Sequence, residues 1–245
     1  MKGCITEGKK LGKIQSLEYR KVNVFRDFAE FIGQYKPEGD NPLYREANRK
    51  FDSLYFSLVD SSIASKLTFD NNWMTPFVVK ATSPLPIKID YAETLGSDRI
   101  CSAVGAYSKF KDKKSILIID LGTATTFNIV SDGVFKGGMI STGIRTSAEA
   151  LMNKTTLPKV ILSSKVKLIN NDTHNAIISG IVLQQVLFIQ KAIEEYKKLY
   201  KGLYVVSTGG GAEIIKKHET GIDKYEPNLV LEGLNQIAIY NETIR

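Results

Sequence analysis

Asp120, Gly122, Thr123, Thr125 and Thr126 crowd into one stretch, Ser115 to Val130, where two apolar β-branched runs, Ile116 to Ile119 and Phe127 to Val130, flank a polar turn. The pattern predicts a β-hairpin with an oxygen-rich tip. Gly122 has no Cβ and admits a ligand to the backbone, Asp120 can hold a cation, and the threonine hydroxyls and amides can bond phosphate oxygens. Such a tip suits a phosphate and its metal, and it equally suits a tight turn whose threonines satisfy their own backbone. A second candidate is Gly209-Gly210-Gly211, which the buried strand Leu203 to Thr208 delivers to a helix start. That geometry holds an anion or an adenosine, or simply makes a turn.

The elements that must position these groups follow from periodicity. The chain opens with a β-hairpin turning near Glu7-Gly8-Lys9. Val24 to Tyr35 has helical spacing and is closed by Pro37. Phe51 to Val59 alternates as a strand, followed by a short helix near Ser62, and Pro76 to Lys80 is another strand. Pro84 to Tyr91 is extended, because proline disfavours helix in the residue before it. Leu95 opens a helix to about Tyr107 with Gly96, Ser97, Asp98 and Arg99 in its first turn, and the charged linker Lys109 to Lys114 marks a domain boundary. Beyond the tip, Val134 to Ser141 is a strand interrupted by Gly137 and Gly138, and Thr146 to Asn153 is a helix. Asp172 or Thr173 caps a core helix, Asn175 to Tyr200, in which Ile178, Ile181, Val182, Val186, Ile189 and Ile193 recur. Val230 to Tyr240 is a closing helix.

At 245 residues the chain can bury a large core, and two α/β lobes, 1–114 and 115–245, are expected. Hydrophobic content of 43% and charged content of 24% argue against disorder. Lys plus Arg exceed Asp plus Glu by 33 to 26, which favours an anionic partner, but no basic stripe interleaved with aromatics points to nucleic acid. Cys4 and Cys101 cannot frame a disulfide scaffold, and with only His174 and His218 no zinc spacing exists. A reducing cytoplasm fits. No apolar stretch reads as a signal peptide or as long enough to span a bilayer.

With these elements placed, the sequence resembles the type III pantothenate kinases, an α/β family of the actin-like ATPase superfamily related to the Bvg accessory factors. The resemblance runs from about Pro84 to Tyr240. It rests on Leu95-Gly-Ser-Asp-Arg-Ile, Ile119-Asp-Leu-Gly-Thr-Ala-Thr-Thr-Phe, Gly137-Gly-Met-Ile-Ser, Thr156-Leu-Pro-Lys-Val, Asp172-Thr, Ser179-Gly, Ser207-Thr-Gly-Gly and Leu231-Glu-Gly-Leu, all in order. It implies two RNase H-like lobes with mixed sheets flanked by helices, the first carrying substrate and the second nucleotide and cation. The last helix is placed to pack back on the first lobe. The implied reaction is transfer of the γ-phosphoryl of ATP to the primary hydroxyl of pantothenate, the first step towards coenzyme A. It uses Mg2+ and a monovalent cation, K+ or NH4+, usually in a homodimer.

By the same resemblance Asp98 is the general base, against the plainer reading of a helix-start aspartate complementing the dipole. Gly96, Ser97 and Arg99 bind pantothenate, the guanidinium meeting its carboxylate, against a surface salt bridge. Asp120 marks the cation site; Gly122, Thr123, Gly209 and Gly210 contact the nucleotide. Thr173 contacts substrate or caps its helix, and Tyr91 matches a substrate-holding tyrosine, although Tyr91 to Gly96 is about two residues shorter than the pattern. Other departures are Thr142 for a usual proline and Asn128 for a usual aspartate. The family's opening strand with its D-x-G-N-T phosphate loop is missing ahead of the first hairpin, and Met1-Lys-Gly-Cys reads like the strand after it. Losing two or three charge-assisted bonds of about 1.5–3 kcal/mol each would slow the reaction on the order of a hundredfold to a millionfold. The alternatives are therefore a shortened chain whose complete form is a kinase, a catalytically impaired binding or regulatory member, and a kinase for a different hydroxyl.

Overall fold

Strands form where apolar residues alternate between polar turns, and the longest run of them builds one central sheet. The computed structural model describes residues 77–244 and the short pieces 2–3, 6–7, 10–11, 15–16 and 55–57. The helix expected over 24–35, the short helix near Ser62 and most of the strand 51–59 lie outside the described residues. At the start, β1 (Lys2–Gly3) pairs antiparallel with β4 (Gln15–Ser16), and β2 (Thr6–Glu7) with β3 (Lys10–Leu11), which is the expected hairpin around residues 8 and 9. Next, β5 (Tyr55–Phe56) lies parallel to β6 (Phe77–Val78).

The central sheet begins with β7 (Lys88–Ile89), much shorter than the extended Pro84 to Tyr91 run. After α1 (Ser97–Lys109) come β8 (Ser115–Leu121), β9 (Ala124–Ser131) and β10 (Val134–Thr142), an antiparallel meander with a bulge between Phe135 and Gly137. Then follow α2 (Ile144–Lys154), α3 (Thr173–Leu199), β11 (Tyr204–Thr208), the single turn α4 (Ala212–Ile215), β12 (Lys224–Tyr225) and α5 (Leu229–Thr243). The spatial order is β12-β11-β8-β9-β10-β7, with β11 parallel to β8 and β12 parallel to β11. Three antiparallel strands with two parallel ones added beside the first give the mixed sheet of an RNase H-like lobe, flanked by helices. One expectation is corrected here. The hairpin tip is only Gly122 and Thr123, because Thr125 and Thr126 continue the ladder of β9 opposite Leu121 and Asp120.

The pleat of β8 sorts its residues between two cores. Leu117, Ile119 and Leu121, with Phe127 and Ile129 of β9, pack against Ile178, Val182, Val186, Ile189 and Ile193 of α3. Ile116 and Ile118, with Val130, Phe135 and Val206, pack against Ile100, Val104, Leu229 and Ile237 of α1 and α5. Asp172 starts α3, its carboxylate accepting from the Asn175 amide at 2.8 Å. Contrary to the expectation that no stretch reaches that size, α3 is long and apolar enough to span a bilayer, but more than half of its most apolar window is buried within the protein.

Helices α1 and α5 cross at two glycines. A Cβ on Gly233 would meet the Cys101 carbonyl and the Gly105 amide, and one on Gly105 would meet the Leu229 carbonyl. Backbone therefore rests on backbone, and Cys101 is sealed beneath; burial pushes its thiol pKa up to about 12, so it stays protonated. At the far end of α1, Lys109 Nζ donates to Glu226 at 2.6 Å and to Glu232 at 3.0 Å. Partial burial opposes the Lys109 charge, and the two carboxylates outweigh it, so the net pKa is raised.

Gly233→Ala should gain helix propensity yet lose about 1–3 kcal/mol in urea unfolding, because the neighbouring atoms are backbone and cannot turn aside. Lys109→Met should cost about 1 kcal/mol, a figure discounted for solvent screening of a partly exposed ammonium. Since the folded pKa lies above the unfolded one, that contribution is complete below about pH 10 and vanishes as pH rises through the raised value. Wild type and variant should then converge in stability at strongly alkaline pH.

Candidate active site

Parallel strands end at the same edge of a sheet, where ligands of α/β proteins sit. Here β8 runs into Gly122-Thr123 and β11 into Gly209-Gly210-Gly211. The Gly211 amide donates to the Leu121 carbonyl at 2.7 Å, which joins the two turns. The tip is tied as well to the start of α2: the Gly143 amide and the Thr146 hydroxyl donate to the Thr123 carbonyl at 2.9 and 2.7 Å. Asp120, Gly122, Thr123, Gly209 and Gly210 are thereby brought together. Gly209 has φ +90, and a Cβ there would stand 2.5 Å from Asp120 Oδ1 and 2.7 Å from the Leu121 carbonyl carbon. Only glycine lets the second turn close over the aspartate.

Asp120 follows Ile116 and Ile118 on the α1 face of the sheet. In register beside it stand Thr126 on β9 and Thr208 on β11, so three oxygen-bearing side chains share one row at the strand ends. A polar line leads from that row to α1. Asn128 Nδ2 donates to Thr126 Oγ1 at 2.9 Å, and Arg99 Nε donates to Asn128 Oδ1 at 2.6 Å. Arg99 is 6% exposed, with its Cζ 5.1 Å from the Tyr91 ring centre and 5.5 Å from that of Phe135. The Tyr91 hydroxyl stands 3.5 Å from Nη1, while Nη2 is buried without a hydrogen-bond partner among the described residues. Tyr91 and Arg99 are thus neighbours.

At the start of α1, Gly96 is the N-cap residue, and Asp98 Oδ1 accepts from the Arg99 amide at 2.8 Å. Asp98 remains half-buried; Ser97 is buried, its hydroxyl 3.1 Å from that of Ser57. Thr173 stands exposed in the first turn of α3, Asp172 being the cap, and no described contact joins it to Arg99 or Asp120. Sequence reading treated Asn128 only as a departure and passed over Thr208. The signal for Thr208 was its place at the end of a strand parallel to β8. On the opposite face, behind the glycine turn, lies a cleft of about 340 Å³ lined by Leu121, Ser207, Ala212, Lys216, His218 and Tyr225 among others.

The family model for type III pantothenate kinase matches residues 41–195. This chain belongs to the type III pantothenate kinase family. A type III pantothenate kinase from Azobacteroides pseudotrichonymphae is 36% identical over 200 residues, 80% of this chain and 77% of the relative. One from Phenylobacterium zucineum is 33% identical over 193 residues, covering 76% and 74%. One from Bifidobacterium longum subsp. infantis is 37% identical over 158 residues, and there the match spans only 61% of the relative. Among solved structures, a Campylobacter jejuni protein named as a Baf family transcriptional activator superposes with a TM-score of 0.57 at 18% identity, covering 83% of this chain and 90% of that one. That likeness supports the fold. The stretch matched to type III pantothenate kinases holds Tyr91, Gly96 to Arg99, Asp120 to Thr123, Asn128 and Thr173, whereas Gly209 and Gly210 lie beyond it.

Gly209→Ala should lower unfolding stability by about 1–3 kcal/mol, through strain at positive φ and collision with Asp120. Gly210→Ala, which meets nothing within 4 Å, should stay within about 0.5 kcal/mol of wild type. Urea titrations of the two variants side by side check the asymmetry.

Proposed function

We propose that the chain transfers the γ-phosphoryl group of ATP to the primary hydroxyl of pantothenate, giving 4'-phosphopantothenate. The observation that carries the reading is Arg99: a buried guanidinium with an unpartnered nitrogen, linked through Asn128 and Thr126 to the row holding Asp120. Buried charge calls for a counter-charge, and a substrate carboxylate supplies one in the forked geometry that arginine favours. Family membership supports pantothenate as that anion.

In this reading Asp98, one residue before Arg99, accepts the hydroxyl proton, and its half-buried carboxylate leaves a face for the incoming alcohol. Tyr91, Gly96 and Ser97 bound the substrate beside it, and Thr173 is a further substrate contact. Gly122, Thr123, Gly209 and Gly210 hold the nucleotide phosphates, and the cleft behind the glycine turn takes the adenosine side. Asp120 with the hydroxyls of Thr126 and Thr208 forms a set of hard oxygen donors, which suits Mg2+, K+ or NH4+. Among the described residues no group of three His, Cys, Asp or Glu forms an all-protein metal cage, so substrate oxygens would complete the coordination. A bound cation neutralises charge on the phosphates during transfer. The reading includes a homodimer in the cytoplasm and a boundary between two lobes at residues 109–114. The exposed Ile161, Leu168 and Ile169 support self-association.

A coupled assay should show ADP release that requires both ATP and pantothenate. Asp98→Asn should lower kcat by about 10²–10⁴-fold with little change in pantothenate KM. Turnover that ignores pantothenate, or an Asp98→Asn variant as fast as wild type, would refute the assignment.

A further inference from the structure

Asn128 occupies an unusual place for a neutral side chain. It is fully buried, and it is the partner at 2.6 Å of a guanidinium that is itself buried. Among the described residues Arg99 has two side chains within hydrogen-bond distance, the Asn128 amide and the more distant Tyr91 phenol, and neither supplies a negative charge. Charge inside a protein is ordinarily met by opposite charge, and among the described residues no side chain hydrogen-bonded to the guanidinium supplies it.

The orientation of Asn128 follows from what its neighbours can do. Arginine only donates, so the amide must turn Oδ1 towards Nε; Nδ2 then faces Thr126 Oγ1, an acceptor, at 2.9 Å. The amide is pinned at both ends. Its grip on Nε, together with the Tyr91 and Phe135 rings that meet edge to face beside it, fixes where the guanidinium lies and leaves Nη2 unengaged among the described residues. We propose that Asn128 is a positioning and specificity residue: it anchors Arg99 through Nε without neutralising it, reserving the positive charge and Nη2 for a carboxylate on the substrate. The inference rests on the assignment of pantothenate as that substrate. An aspartate at 128 would hold Arg99 as firmly and screen its charge; an alanine would leave the charge and loosen the guanidinium.

The test compares pantothenate with pantothenyl alcohol, in which an uncharged hydroxymethyl group replaces the carboxylate. For Asn128→Asp, the ratio of kcat/KM for pantothenate to kcat/KM for the alcohol should fall about tenfold, a preference that a general packing defect would not alter. For Asn128→Ala, pantothenate KM should rise about tenfold while kcat changes much less. Calorimetric titration with pantothenate follows binding separately from turnover. Wild-type turnover with an unchanged ratio in Asn128→Asp, or an unchanged KM in Asn128→Ala, overturns the role of Asn128 alone. A wild-type chain that neither binds nor phosphorylates pantothenate overturns the substrate assignment and this inference with it.

Discussion

The register of β8 between β9 and β11 is the constraint on which the site depends. Strand side chains alternate strictly, so a slip by one residue would send Ile116 and Ile118 into the wrong core and turn Asp120 towards α3. The two apolar layers forbid that slip, since each accepts only its own half of the strand. Hydrophobic burial thereby fixes the aim of a carboxylate that contributes nothing to burial. The same alternation sets Thr126 and Thr208 beside it and leaves Asn128 one pleat further along, within reach of α1.

Close backbone approach is the second theme. At the edge, Gly209 and Gly211 let the turn after β11 settle against Asp120 and Leu121, and Gly143 brings α2 against the hairpin tip. At the α1 and α5 crossing, Gly105 and Gly233 do the same for two helices. These contacts use main chain where other proteins use side chains, which gives short, stiff supports for the groups they hold. The strand-end turns and helix α1 are consequently each braced by glycine rather than by a layer of adjustable side chains.

Much of this was legible in sequence because local patterns and global fold agree. Ile116 to Ile119 and Phe127 to Val130 announced adjacent strands, and the recurrence from Ile178 to Ile193 announced a core helix. Asp120, Gly122 and Gly209 announced turns at strand ends, and the structure brings those turns together at one edge. Boundaries were less legible. Thr125 and Thr126 looked like turn residues by type, yet ladder pairing carried them into β9, because backbone hydrogen bonding outweighs the local preferences of threonine. Pro84 to Tyr91 read as a long extended segment, while only Lys88–Ile89 finds a partner edge on β10. Asn128 and Thr208 could not be picked out by type alone. Their meaning comes from neighbours distant in the chain, and those neighbours are settled by strand order. Thr173 illustrates the reverse case, a motif residue that the described contacts leave apart from Arg99.

Helix α5 is synthesised after every other described element, yet it covers α1, the helix that begins with Ser97, Asp98 and Arg99. A nascent chain still lacking the fifteen residues of α5 would expose the apolar flank of α1 around Cys101 and Val104. Among the described elements, then, the covering of that flank comes last in chain order, and the packing around α1 waits for a helix more than a hundred residues downstream.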